Sequence, residues 1–175
     1  MGTGGVFLRR VRARVSDEPT GFVWVEKGKL AASGYPASRG QVDWLAKQGL
    51  DTILTLTEKP LPQGSTLGSK MVLRHIPMLD HEAPRPESLG QAVDYVEEQL
   101  AAGRHVLVHC LAGEGRTGCV MAAYLIKIRG IGAEEAVRIL RGIKPTFVEP
   151  SQQKAVLDYA ASASHKPDTR RLRRT

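Results

Sequence analysis

Cysteine is almost missing from this chain: Cys110 and Cys119 are the two among 175 residues. Two cysteines make no disulfide framework, and a working thiol wants a reducing compartment, so the expected location is the cytoplasm. Apolar runs near the roughly 20 residues of a membrane span are absent, which excludes a spanning helix. The start, Met1-Gly2-Thr3-Gly4-Gly5-Val6, lacks the basic and apolar regions of a secretory signal and has Val6 where myristoylation wants Ser or Thr. No cluster of His and Cys has metal-ligand spacing, so neither a metal nor another cofactor is expected. There is no internal repeat.

Acidic residues are absent from 1–16, which hold Arg9, Arg10, Arg12 and Arg14, and nearly absent from 162–175, where Lys166, Arg170, Arg171, Arg173 and Arg174 face Asp168. Each end therefore carries +4, and of the net +7 the residues 17–161 keep −1. A near-neutral body argues against a domain built to grip nucleic acid, although the basic tails could touch acidic surfaces. Apolar residues at 42% and charged residues at 25% are ordinary globular values, and the length suits one domain with a self-sufficient core, expected as a monomer.

Residues 1–20 read as a basic arm or edge strand, from the alternation of Val11, Ala13 and Val15 with Arg10, Arg12 and Arg14. Residues 22–25 and 29–33 read as two short strands. A helix over 39–48 has Ser38 as N-cap and Gly49 as its stop, with Trp44 packing beside it. Strands come next at 50–57 and 71–76, with a turn-rich loop between and a proline-bounded loop, 77–86, after them. Pro86 suits the first position of a helix presenting Leu89, Val93, Val96 and Leu100 and ending at Gly103. After a strand at 106–108, a buried helix runs to Gly130 and a shorter one spans 134–142. A last helix opens at Pro150, with Val156, Leu157 and Ala160 apolar and fraying from Ser162. Strands alternating with helices predict an α/β fold: a central, mostly parallel sheet flanked by helices on both faces. The domain spans 21–161, and 162–175 is a basic tail.

The chain is organised around 104–118, Arg-His-Val-Leu-Val-His-Cys-Leu-Ala-Gly-Glu-Gly-Arg-Thr-Gly. A buried strand gives way to a glycine-rich turn and then to a helix. Backbone N–H groups of such a turn converge on an anion, and the same field favours a thiolate. Cys110 stands where a nucleophile belongs, and Arg116 where a bidentate partner for phosphate oxygens belongs. The cradle is made by Leu111, Ala112, Gly113, Glu114, Gly115 and Arg116, with the Glu114 side chain turned outward because it would repel the anion. Gly113-x-Gly115-x-x-Gly118 also satisfies a dinucleotide fingerprint, but no strand ending in an acidic residue comes after it.

His109-Cys110-x5-Arg116-Thr117 matches H-C-x5-R-[ST], and from about Phe22 to about Tyr159 the chain resembles the small atypical dual-specificity members of the cysteine-dependent protein tyrosine phosphatases. The resemblance implies a phosphatase domain that cleaves phosphorylated proteins or peptides through a phosphocysteine. It implies that Thr117 donates to the sulfur, that His109 orders the loop and that Gln153 positions water, with Gln152 adjacent. Asp80, thirty positions before Cys110 on the proline-bounded loop, is the expected general acid, with Glu82 second and His81 third. The cradle has no lysine, which disfavours phosphoinositides. An RNA 5′-triphosphatase, a silent phospho-binding module and a rhodanese-like transferase are the other readings.

Overall fold

The computed structural model describes residues 17–66 and 68–164. The expected basic segments at 1–16 and 165–175 lie outside them. Among the described residues five strands form one sheet: β1 (Val23–Glu26), β2 (Leu30–Ser33), β3 (Thr52–Thr55), β4 (Val72–His75) and β5 (Val106–His109), in the order β1-β2-β5-β3-β4. β1 pairs antiparallel at one edge, and every other pairing is parallel. β5 is central, and each of its residues is buried, as a strand covered on both faces must be.

Period-two alternation divides the core between the two faces. Ile53 and Leu107 turn to one face, where α1 (Arg39–Lys47) seats Val42 and Leu45; Leu54, Val106 and Val108 turn to the other. That second face carries α2 (Pro86–Ala101), α3 (Gly115–Arg129), α4 (Ala133–Ile143) and α5 (Gln153–Ser164). From Gly115 to Ile126 every residue of α3 is buried, which makes it the axis of the four-helix layer. Trp44 packs edge-on against Phe22 on the α1 face, as expected of a packing residue.

Local signals place the boundaries. Ser38 accepts from the Gln41 N–H at 3.3 Å, Pro86 opens α2, and Gly130 closes α3 in the left-handed region. The last helix departs from expectation. Pro150–Gln152 form a 3-10 turn before α5 begins, and the tighter winding shifts the phase of α5. Leu157 consequently lies on the open side, 49% exposed, while Ala155, Val156 and Tyr159 face the core. Helix continues through Ser162 to Ser164, and α4 likewise runs past Gly142. Among the described residues no helix is long and apolar enough to cross a membrane.

Candidate active site

The turn after β5 is anchored by its carbonyls. Cys110 O accepts from His109 Nδ1 (3.0 Å), Leu111 O from the Tyr35 N–H (2.9 Å) and Gly113 O from Lys144 Nζ (3.0 Å). Glu114 O accepts from the N–H groups of Gly118 (2.9 Å) and Val148 (3.3 Å). In a trans peptide the next N–H points opposite to the carbonyl. Tying four carbonyls to the periphery therefore turns the N–H groups of Leu111, Ala112, Glu114 and Gly115 to the other side. The turn borders a pocket of about 110 Å³ lined by Cys110, Leu111, Ala112, Gly115, Arg116, Asp80, His81 and Glu149. Gly113 permits this course: its φ is +72°, and a Cβ there would collide with the Ser33 carbonyl group and Gly34 N.

Cys110 is 3% exposed and Arg116 2%. Arg116 Nη1 donates to Glu58 Oε2 (3.2 Å) and the Met78 carbonyl (3.0 Å), while Nη2 lies 2.8 Å from Asp80 Oδ1. Its Nε is buried without a partner. Asp80 thus sits above the cradle at the end of the β4 strand direction, with its own N–H donated to Glu58 Oε1 (2.8 Å). His81 Nε2 is 3.7 Å from Asp80 Oδ2 and its Nδ1 is 3.9 Å from Glu149 Oε2. Glu82 lies apart, in the wall of a different hollow with Pro77 and Arg85. Glu114 does turn away from the cradle, toward Lys144 at 3.7 Å.

His109 is fully buried, and its Nε2 is 2.9 Å from Thr55 Oγ1. A carbonyl can only accept, so Nδ1 carries the proton toward Cys110 O and Nε2 accepts the Thr55 hydroxyl. Burial pushes the imidazole down to about 4, so it orders the turn as a neutral ring. The expected bond from Thr117 to the sulfur is not formed: Thr117 Oγ1 is buried and has no partner. Cys119 is a packed thiol, pushed up to about 12 by burial, and rests on Gln152 O at 3.7 Å.

Gln153 is not at this site. It faces a groove of about 390 Å³ between α4 and α5, where its amide oxygen accepts from Arg141 Nη1 at 3.1 Å. The 3-10 turn brings Gln152 inward instead, 1% exposed, donating to Glu82 O at 3.0 Å and filling the space that a Cβ on Gly115 would need. Glu58 and Lys144 are missed by motif reading. Glu58 had one usable signal: it comes just after a parallel strand, where such sheets gather ligand-facing groups.

A family model described as PTP-SAK, Swiss Army Knife protein, DSP-PTPase phosphatase domain, matches residues 19–167. Phosphatidylglycerophosphate phosphatase PTPMT2 of Arabidopsis thaliana is 30% identical over 142 residues, 78% of this chain and 62% of that protein. Dual specificity protein phosphatase 12 of Rattus norvegicus is 32% identical over 105 residues, 59% of this chain and 31% of its own length. The chain thus spans less than two thirds of these curated relatives. The crystal structure of Tk-PTP in the active form matches with a TM-score of 0.70 at 30% identity, covering 78% of this chain and 95% of that one. PTPMT1 shares the fold, with a TM-score of 0.71 at 19% identity over 82% of this chain and 96% of that one. With its motif seated on the turn between β5 and α3, the chain belongs to the DSP-PTPase family of phosphatase domains.

Proposed function

We propose that this domain hydrolyses phosphomonoesters on phosphorylated proteins, on tyrosine and with lower efficiency on serine or threonine, in a reducing compartment such as the cytoplasm. Cys110 Sγ attacks phosphorus in line; the P–S bond forms as the ester P–O bond breaks, and the departing oxygen takes a proton from Asp80. Water then attacks the phosphocysteine, losing a proton to Asp80, and the sulfur departs with inorganic phosphate formed. Arg116 and the four inward N–H groups hold the equatorial oxygens, where charge is redistributed in the transition state. The Thr117 hydroxyl, unpartnered in the free protein, is available to the departing sulfur. The buried Arg116 beside Cys110, with Nε unpaired, is the observation that carries the reading, because a buried donor without a partner wants an acceptor.

Lipid phosphomonoesters form a second reading, favoured by the names of the Arabidopsis thaliana relatives, phosphatidylglycerophosphate phosphatases PTPMT1 and PTPMT2. Leu111, 61% exposed, gives the pocket an apolar rim that either substrate could use. The test is turnover of phosphotyrosyl and phosphothreonyl peptides against phosphatidylglycerophosphate in vesicles. Peptide turnover that disappears in Cys110→Ser is the expected result. Turnover surviving that substitution removes the phosphocysteine, and activity confined to vesicles moves the substrate to lipid.

A further inference from the structure

We propose that Glu58 is a positioning residue, which keeps Asp80 over the cradle while the substrate's phosphate takes over the place of Asp80 on Arg116; this rests on reading Asp80 as the proton donor. A guanidinium has five N–H groups. Nη1 is committed to Glu58 Oε2 and the Met78 carbonyl, whereas Nε is buried and unpaired. The edge left for a bidentate phosphate is Nε with Nη2, and Asp80 Oδ1 already stands on Nη2 at 2.8 Å. A phosphoryl oxygen seated on that edge evicts the carboxylate.

Eviction serves the chemistry. Asp80 passes from beside the guanidinium to beside the ester oxygen that must leave. Its side chain is 36% exposed, so solvent can supply the proton. The cost is a loosened loop: the His81 N–H still donates to Asp80 Oδ1 at 3.1 Å, but His81 belongs to the same loop, with a positive φ and an 82% exposed side chain. Its Nδ1 is 3.9 Å from Glu149 Oε2, too far for a hydrogen bond that would tie the loop down.

Glu58 removes that cost. Its Oε1 accepts the Asp80 N–H at 2.8 Å, while Oε2 stays on Nη1, outside the edge that phosphate needs. One carboxylate thereby fixes the fork of Arg116 and the backbone of Asp80 in register, whichever way the Asp80 side chain turns. N–H groups of its own backbone and of Asp80 hold the Glu58 carboxyl below its usual range, which keeps it ionised as an acceptor.

Rates are to be measured for aryl and alkyl phosphates of graded leaving-group basicity in the full chain, wild type and variants. Glu58→Asp keeps the charge but is too short to span both partners; it loses about tenfold on the poorest leaving groups and little on the best. Glu58→Gln keeps the reach but offers one acceptor oxygen to two donors, so its loss on the poorest leaving groups falls between wild type and Glu58→Asp. A uniform loss in Glu58→Asp, or no loss, overturns the proposal. Asp80→Asn is the reference: a steepened series there beside an unchanged one in Glu58→Asp sinks this inference alone. A flat series in Asp80→Asn removes the proton-donor reading and Glu58 with it.

Discussion

His109 has both ring nitrogens engaged and no water at its surface, so a second proton would be buried without an acceptor. An unfolded histidine takes that proton near pH 6.5, and the folded one only at about 4. Between these values the unfolded state binds more protons, so this contribution is complete above pH 6.5 and is lost as pH falls toward 4, at most about 3 kcal/mol. Urea midpoints should drop from pH 7 to pH 5, and His109→Asn should flatten that slope. Arg116→Lys keeps a charge but has no fork, leaving Glu58 and Asp80 to share one ammonium. Turnover should fall about a hundredfold or more with the fold retained by circular dichroism. The thiols differ as well. Cys119 is buried, with its thiol pushed up to about 12, so iodoacetamide should label one cysteine in the native protein and two after denaturation.

At the scale of the element, the turn from 110 to 114 is stiff because its carbonyls are spent on His109, Tyr35, Lys144, Gly118 and Val148. Gly113→Ala would force a Cβ into the Ser33 carbonyl at a φ that L-residues avoid, and should cost about 2 kcal/mol or more, read from the thermal midpoint. Val148 holds a φ of +58°, an outlier for a β-branched residue. Arg141 secures it by donating Nη2 to Val148 O at 2.9 Å and Nε to Phe147 O at 3.3 Å. Much at this scale was legible from sequence, because hydrophobic period and caps such as Ser38, Pro86 and Gly130 are written locally. The phase of the last helix was not. A 3-10 turn advances about 120° per residue against 100° for an α-helix, which is why Gln152 faces the cradle and Gln153 faces Arg141.

Across the molecule, the pocket collects residues from the end of β5, the loop after β4 and the stretch before α5, and Glu58, after β3, joins it through Arg116. Cys110 and Arg116 could be read directly, since six positions of one turn place both. Glu58 could not, because its approach to Arg116 depends on β3 lying beside β5, and strand order is not carried by any local pattern. The same sheet joins two cores, with Ile53 and Leu107 in one and Leu54 and Val108 in the other. Both tryptophans, Trp24 and Trp44, belong to the α1 side, whereas Cys110, Cys119 and Gln152 belong to the layer opposite or border it. Intrinsic fluorescence and enzymatic turnover are therefore spectators of different halves. A urea titration tracked by both should give superimposable curves, because neither half can melt without stripping the strands that the other rests on. Curves that separate would reveal a partly molten species in which light emission still looks native while the phosphate cradle has already dissolved.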